Sequence, residues 1–428
     1  MGIRWAASLT LAATAAAQTF ATYGDRQLGE LLEEALANNP RVVQSFAEYQ
    51  AALHRVPQAA ALPDPSFSVT QYARSVETRV GPQGRSLAIT QTFPGFGKRA
   101  AKGQLEAKAA AAKDELYQAA RAEVARQTKA AYFDLGFVDL AIELNREDAE
   151  LIAQFEDLAQ RRYSQGFGLL ADVVRLQAQI TETRSRREQL ERQRVDLEAR
   201  LNALRDLPAD TPVGRVRLAA LPSPRLDLQE LLDTGRASRP DLKAAFLQIE
   251  GREKGVHLAR TEFRPDFTAG VTWGNILRRP ELAPGMPVPG SGKDVYAVTF
   301  GMTLPIFRGK YEAGVREAVE RFSSAKAAYR SAAGEMEAAI RSVAFRIETI
   351  ARQIQLFKGT LLPQAEQAFR STRDAYAAGL LGVSGLLDVQ RLLVDARLGL
   401  ARLRADHLQA MTDLERAIGS PVPLEEKP

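Results

Sequence analysis

The chain contains no cysteine and only three histidines among its 428 residues. The missing cysteine excludes disulfides, thiolate metal sites, a cysteine nucleophile and a lipid-modified cysteine at a mature N-terminus. A large net charge is also missing, because the 57 basic residues are nearly balanced by 52 acidic ones, which leaves +5. This small excess gives no indication of nucleic-acid binding, and 45% hydrophobic residues are typical of an ordered protein.

Long hydrophobic runs are missing as well. Beyond the N-terminus, no run reaches the roughly 18 uninterrupted apolar residues of a transmembrane helix. The apolar run Trp5–Ala17 follows Arg4 and ends in small residues, which predicts a signal peptide over residues 1–17 with cleavage near Gln18. The alternative is an alanine-rich start without a targeting role. If the protein meets a bilayer, we expect strands or the surface to make that contact.

Two glycine-containing breaks in the helical pattern resemble each other. Tyr163–Gln177 and Tyr376–Gln390 each place a Gly three residues after the Tyr, followed by a short turn, an Asp and a restarted apolar pattern. They are 376 − 163 = 213 residues apart. The sequence therefore predicts two tandem structural repeats, over residues 18–215 and 216–428.

Each repeat contains a short helical region followed by an alternating pattern that predicts a β-hairpin, at 66–93 and at 267–304. In Val295–Leu304, large apolar residues share one face and small or hydroxylated residues share the other. A two-stranded hairpin is marginal in water, whereas strands of about 9–11 residues can cross a tilted bilayer. Four strands cannot enclose a pore, so several chains would have to contribute. A small soluble sheet packed on helices is the alternative.

Long helices follow each hairpin, at 98–162 and 169–205 in the first repeat and at 310–375 and 384–418 in the second. At 1.5 Å per residue the first would reach roughly 95–100 Å. In 310–375 the apolar residues are spaced alternately four and three, which predicts a coiled-coil seam. This seam comprises Met336, Ile340, Val343, Ile347, Ile350, Ile354, Phe357 and Leu361. The fold class is therefore mostly α, with long coiled-coil helices and a small β part.

The strand exits carry matching motifs, with FPGFGKR after the first hairpin and LPIFRGK after the second, and their prolines lie 305 − 94 = 211 residues apart. Neither motif completes a dinucleotide fingerprint or a phosphate loop. No set of acids, bases, nucleophiles or metal ligands converges elsewhere. We therefore predict no catalytic residue, no cofactor and no metal site, and we do not expect an enzyme.

This pattern resembles the TolC-like outer membrane efflux proteins of Gram-negative bacteria. The resemblance covers the mature chain and rests on the proline-led strands, the two exit motifs and the paired Tyr-x-x-Gly turns. It implies a homotrimer in which four transmembrane strands per chain complete a β-barrel and the helices form a periplasmic α-barrel. It further implies a passive exit duct that lies in the cell outer membrane and contacts the lipid of that membrane. Its partners would be a periplasmic adaptor (membrane fusion protein) and an inner-membrane pump, of RND type.

The resemblance also implies site residues. Asp172 and Asp388 match acidic pore positions, and Tyr376 matches a tyrosine of the polar latch at the gate. The two turns would form the narrow, adaptor-docking end, with docking residues Gly166, Phe167, Gly168, Gly379, Leu380 and Leu381. The chain departs from the family at Gly385, where a second acid is found, and at Leu381, where a basic latch partner would stand.

Alternatives remain for the site and for the function. Both aspartates are expected in first helical turns, where the helix dipole alone stabilises a carboxylate by about 0.3–1 kcal/mol. A soluble periplasmic coiled-coil scaffold or adaptor would need no transmembrane strands. The cargo is open between drugs, metal cations and polypeptides, although the GKR-type exit resembles that of heavy-metal efflux branches.

Overall fold

A computed structural model describes residues 20–279 and 288–424. The predicted signal peptide, residues 1–17, lies outside the described residues, as does the segment 280–287 of the second hairpin loop. The chain divides into two compact units, each of which draws on both halves of the sequence. The bundle unit takes the described residues of Met1–Phe46, Leu116–Lys243 and Ala332–Pro428, and the sheet unit takes Ala47–Glu115 and Ala244–Ser331.

Helices account for most of the described chain. They are α1 (Arg26–Asn38), α2 (Pro40–Ala60), α3 (Lys98–Ser164), α4 (Leu170–Leu204), α5 (Leu228–Ser238), α6 (Pro240–Thr261), α7 (Arg308–Leu356), α8 (Leu362–Ala377) and α9 (Val383–Ile418). None of the described helices is both long and apolar enough to cross a membrane. The long helices begin and end within about two residues of the expected bounds, except that 310–375 is divided.

The two halves begin in the same way. Asp25 caps α1 by accepting from the Leu28 amide, and Asp227 caps α5 by accepting from the Gln229 amide, at an offset of 227 − 25 = 202 residues. Asp25 thus satisfies one of the free amides of its helix N-terminus, and Asp227, which also accepts from the Glu230 amide, satisfies two. Equivalent helices in the two halves are therefore started by equivalent residues.

The two short helices that open each repeat, α1 with α2 and α5 with α6, also pack against the end of the last helix of that repeat, α4 and α9. The Asn39 side chain donates to the Leu204 carbonyl at 2.8 Å, at the end of α4. In the second half, a Cβ on Gly419 would lie 2.6 Å from the Arg239 Cα, so that only glycine permits this approach after α9. Gly419 has φ +72, the left-handed conformation in which glycine commonly ends helices. The tandem repeat is thus visible in the packing as well as in the sequence.

The sheet unit contains one antiparallel sheet in the order β1-β3-β4-β5, with the short β2 paired to β3. Its strands are β1 (Ser66–Gln71), β2 (Glu77–Thr78), β3 (Gly81–Phe93), β4 (Phe267–Ile276) and β5 (Val295–Met302). The hairpins of the two repeats are joined through β3 and β4, with Phe93 opposite Phe267. Every residue of β5 is exposed in the single chain, including Tyr296, Val298 and Phe300. The expected apolar face is therefore present and uncovered.

The strands of the first hairpin extend close to its tip, because β3 already begins at Gly81 and the short β2 precedes it. The reason is a partner from the other repeat, because the Leu277 amide donates to the Pro82 carbonyl at 2.8 Å. Such long-range backbone pairing leaves no local signal in the sequence.

The predicted seam of 310–375 is largely confirmed, because Met336, Ile340, Ile347, Ile350 and Ile354 are buried. At the third predicted position, Ala344 is buried in place of the half-buried Val343. The helix then changes to a π-helical segment, Phe357–Leu361, before α8 begins. Pro363 accounts for the change, since it lacks an amide proton and its ring disfavours the preceding α-turn. Burial continues at Ala365 and Phe369.

A buried ion pair joins α3 to α9 in the bundle unit. The Lys129 Nζ lies 2.5 Å from the Glu415 Oε2, with the two side chains 1% and 9% exposed. The Tyr23 hydroxyl donates to the other Glu415 oxygen at 2.8 Å, and the Lys129 ammonium lies over the Tyr23 ring. Burial raises the pKa of Glu415, and the Lys129 cation and the hydrogen bonds oppose that rise. The N-terminal segment is held to the bundle by this triad.

Candidate functional site

The two glycine breaks form turns of the same backbone geometry. In the α3–α4 turn, Gly166 has φ +80, and in the α8–α9 turn, Gly379 has φ +79. The amides of Phe167 and Leu380 each donate at 2.9 Å to the carbonyl five residues earlier, and those of the two glycines donate at 3.0 Å to the carbonyl three residues earlier. This is the Schellman arrangement, in which left-handed backbone favours glycine. The repeat therefore reproduces individual hydrogen bonds.

Apolar side chains project from both turns. Phe167 is 86% exposed and Leu380 is 82% exposed, at equivalent positions of the two repeats. Leu381 is also exposed, to a smaller degree. Gly168 is a close-approach position, because a Cβ there would lie 2.9 Å from the Tyr163 amide nitrogen. The residues predicted to dock a partner thus present uncovered apolar surface in the single chain.

Tyr376, the predicted latch residue, is buried in the last turn of α8. Its ring packs edge-on against Phe155 of α3, with centroids 6.0 Å apart. The same apolar cluster includes Phe369 and, from the first turns of α4 and α9, Val173 and Val383. This packing fixes the ring between helices of both repeats.

Arg162, which the sequence reasoning missed, holds Tyr376 from the first repeat. Its guanidinium carbon lies 5.1 Å from the centre of the Tyr376 ring. Its Nη1 donates to the Tyr376 carbonyl at 2.8 Å, and its Nη2 donates to the Ala377 carbonyl at 2.6 Å. These carbonyls are among the last four of α8, which have no partner within the helix. One side chain of α3 therefore caps α8 and covers the tyrosine ring.

An open cleft lies beside this contact and is lined by residues of both turns together with Arg162, Asp172 and Tyr376. Asp172 stands in the first turn of α4, as predicted. Burial raises the pKa of the Tyr376 hydroxyl; the Arg162 cation opposes this rise and the Asp172 carboxylate adds to it. The structure thus places Asp172, Tyr376 and the Arg162 guanidinium along the same cleft.

Asp388 is placed differently from Asp172. It is exposed, and the first turn of α9 contains no acidic residue. The expectation that both aspartates stand in first helical turns is therefore wrong for Asp388, because α9 begins at Val383 and Asp388 falls in the following turn. The helix dipole acts mainly within the first turn, so it does not account for this carboxylate. Asp388 is also not among the residues that line the cleft.

The two departures from the family pattern, Leu381 and Gly385, are in contact with each other. A Cβ on Gly385 would lie 3.0 Å from the Leu381 Cδ2. The leucine side chain therefore occupies the space that a side chain at 385 would need. The two positions at which the chain departs from the family pattern are therefore adjacent in the turn.

Comparison with known proteins decides the family. The model of the family described as "Outer membrane efflux protein" matches residues 31–205 and 231–420. The chain belongs to the outer membrane efflux protein family. It is the channel component of a tripartite efflux system and resides in the outer membrane.

Individual relatives of this efflux protein are distant but extend over nearly its whole length. The cobalt-zinc-cadmium resistance protein CzcC of Cupriavidus metallidurans is 23% identical, with 92% of this chain and 90% of CzcC covered. The outer membrane protein TolC of Escherichia coli is also 23% identical, over 92% of this chain and 82% of TolC. The crystal structure of VceC from Vibrio cholerae superposes with a TM-score of 0.77 at 21% identity, covering 93% and 97% of the two chains. The last likeness shows the shared fold.

A second polar contact links the repeats of the efflux protein within the bundle. The Gln390 Nε2 donates to the Asp148 Oδ1 at 2.5 Å, which joins α9 to α3. The Gln390 side chain is buried, and its Oε1 has no partner among the described residues. Burial raises the pKa of Asp148; the Gln390 amide and the Arg186 cation oppose this rise, and Asp395 adds to it. This contact therefore joins the two repeats through a buried glutamine.

Proposed function

We propose that three copies of the chain form one exit duct, with four strands of each copy in a twelve-stranded barrel. Support comes from the sheet order, which leaves β1 and β5 as edges with unpaired backbone groups. Such edges are not tolerated in hydrocarbon, and closure of the barrel removes them. In this arrangement the exposed apolar face of β5 lies against lipid.

The α3–α4 and α8–α9 turns form the gate of this duct, and Arg162 is the basic part of its latch. The observation that carries this proposal is the set of three contacts from Arg162 to the ring and carbonyls at the end of α8. Because Arg162 belongs to the first repeat and Tyr376 to the second, the contacts hold the two helix pairs together. Arg162 takes the role that the family pattern assigns to the position of Leu381.

The acids contribute to the selectivity of the gate. Three copies would bring three Asp172 and three Asp388 carboxylates towards one axis, where the like charges would repel each other and attract cations. Neutralising either position is therefore expected to weaken cation binding at the gate.

The latch is tested by the single-channel conductance of reconstituted protein in planar bilayers. Arg162→Gln removes the cation over Tyr376 and weakens the hold on α8, so the conductance should rise several-fold. Arg161→Gln is the matched control, because Arg161 is exposed and pairs with Asp157 of its own helix. An Arg162→Gln channel that conducts like the wild type would contradict the latch.

We also propose that the exposed turn residues dock a periplasmic adaptor, which connects the duct to an inner-membrane pump of RND type. A photo-crosslinking residue at Phe167 or at Leu380 should capture the adaptor in cells. The same residue at Val195, which is 61% exposed but lies along α4, serves as the control. Equal capture from Val195 and from the turns would argue against docking at the turns.

For the cargo we propose divalent metal cations, a proposal that rests on the likeness to CzcC over 92% of this chain. Loss of the gene should then raise cellular zinc, cobalt or cadmium, measured by elemental mass spectrometry. Unchanged metal content together with increased drug sensitivity would assign the duct to a drug pump instead.

A further inference from the structure

The far ends of the two hairpins meet in the sheet unit. Beyond β4, the Leu277 amide donates to the Pro82 carbonyl at 2.8 Å, and before β5 the Gly292 amide donates to the Val80 carbonyl at 3.0 Å. Gly292 also lies directly against Arg278, because a Cβ there would approach the Arg278 Cγ to 2.7 Å. The loops of both repeats therefore form one joint surface at the end of the sheet remote from the helix junctions.

This surface is rich in exposed cations. We define the tip cluster by its five members, which are Arg74, Arg79, Arg278, Arg279 and Lys293. Within the described residues, none of them forms an ion pair. Among the described residues of these loops, the carboxylates are Glu77 and Asp294, and Asp294 already accepts from the Trp273 indole at 3.0 Å. The described part of the surface therefore has five cations and two carboxylates.

The opposite end of the sheet is arranged differently. There Lys98 is buried and pairs with Asp266 at 2.9 Å and with Glu262 at 3.3 Å. Arg264 donates to the Phe96 carbonyl, and Arg99 donates to the Ala60 carbonyl at 2.8 Å. Cations at the helix junctions therefore bind groups of the fold, whereas the side chains of the tip cluster take part in no such contact with the other residues that the structure describes.

The strand length places the tip cluster at a definite depth. Strand β4 has 10 residues, which at about 3.3 Å each gives roughly 33 Å. With a tilt of about 40°, this strand crosses roughly 25 Å, the height of the apolar band of an outer-membrane barrel. Arg278 and Arg279 follow the strand end by two and three residues. They therefore lie at the level of the headgroups on the far side of the membrane.

We propose that the tip cluster binds the phosphate groups of an anionic glycolipid headgroup in the outer leaflet. The proposal rests on the proposed crossing of the membrane by the strands. Guanidinium groups pair with phosphate oxygens in a bidentate manner and keep their charge at all relevant pH values. The cations are spread over a joint surface instead of converging on one cavity, which suits a layer of headgroups better than a single free phosphate.

The test uses full-length protein in detergent micelles, titrated with lipid A that carries two, one or no phosphate groups and followed by native mass spectrometry. A variant with all five tip cations changed to Gln is compared with the wild type. The matched control changes five exposed helix cations to Gln, namely Arg184, Arg192, Arg200, Arg330 and Lys358. Because each cation near an anionic surface contributes about fivefold to affinity, the tip variant should bind bis-phosphorylated lipid A at least about tenfold more weakly.

The expected pattern is a wild-type affinity that falls with each phosphate removed, and a control variant within about twofold of the wild type. Equal binding by the tip variant and the wild type would overturn the proposal, as would wild-type binding that ignores the phosphate count. Displacement of the lipid by excess inorganic phosphate would show a free-phosphate site and would also overturn it. Conductance of the same preparations in planar bilayers tests the exit duct separately from the lipid site. If the tip variant conducts normally but binds lipid A like the wild type, the lipid site is refuted and the exit duct is retained.

Discussion

Replacing Lys129 with Met should strongly destabilise the bundle unit at neutral pH. The substitution keeps the length of the side chain but leaves the Glu415 carboxylate 9% exposed and without its cation. The Tyr23 hydroxyl remains as a hydrogen-bond donor to Glu415. One neutral donor does not compensate a buried carboxylate that has lost its ion-pair partner.

The magnitude follows from this burial. Breaking a buried ion pair by removing one partner costs about 3–5 kcal/mol. For a unit of this size, about 2 °C is lost per kcal/mol, so the apparent Tm should fall by about 6–10 °C. The same change at Arg146, which pairs with Glu150 on the surface of α3, should cost less than about 1 kcal/mol.

The assay is thermal unfolding of the detergent-solubilised protein, followed by circular dichroism at several pH values. Burial already raises the pKa of Glu415, and the loss of Lys129 removes an opposing influence. Glu415 in the folded variant therefore binds a proton more readily than in the unfolded chain, where glutamates have a pKa of about 4.3. Its stability should rise as the pH falls through the raised pKa, and the deficit relative to the wild type should shrink.

A second substitution decides the cause. Lys129→Met combined with Glu415→Gln removes the unpaired charge and keeps an acceptor for Tyr23, so most of the lost stability should return. A double variant as unstable as Lys129→Met alone, or a deficit independent of pH, would refute the reasoning and assign the loss to packing.

Two further predictions concern the turns and the contact between repeats. Gly379→Ala should lower the free energy of unfolding by about 1 kcal/mol, because φ is +79 at this position. Gly334→Ala, at an uncrowded helical position, should instead raise it by about 0.5–1 kcal/mol. Thermal unfolding measures both variants, and equal effects would contradict the role of the turn conformation. Asp148→Asn should be more stable than the wild type by about 1 kcal/mol at pH 8, because the new amide can donate to the free Gln390 oxygen. The raised pKa of Asp148 predicts that the stability of the wild type declines as the pH rises, and this decline should be absent from the variant. A steeper pH dependence in that variant would speak against the contact.

Periodic and local features of the fold could be predicted from the sequence. The hairpins, the long helices and the paired turns follow from apolar spacing, prolines and glycines, which act within a few residues. The family membership followed from the same motifs. The signal for the Schellman turns was a Tyr-x-x-Gly repeat, in which Gly166 and Gly379 supply the left-handed backbone.

Features that depend on a partner far along the chain were not predictable. Arg162 meets Tyr376 across 214 residues, and the available signal, a basic residue in the last turn of α3, is common to many helices. The contact between Leu381 and Gly385 requires the shape of the turn. Asp388 was assigned to the wrong turn, because it lies beyond the first four residues of α9 whether the helix begins at the expected residue 384 or at Val383. The gate and docking roles of these residues remain predictions.

The π-helical segment compensates for a difference of one residue in length between the repeats. From Lys98 to Gly166 there are 166 − 98 = 68 steps, and from the equivalent Lys310 to Gly379 there are 379 − 310 = 69. The second repeat therefore carries one extra residue along this path, and a π-turn, which closes over five residues instead of four, takes up one residue. In an uninterrupted α-helix, the extra residue would rotate everything beyond it by about 100°. The irregularity thus preserves the rotational phase of α8, and with it the direction in which Tyr376 faces Arg162.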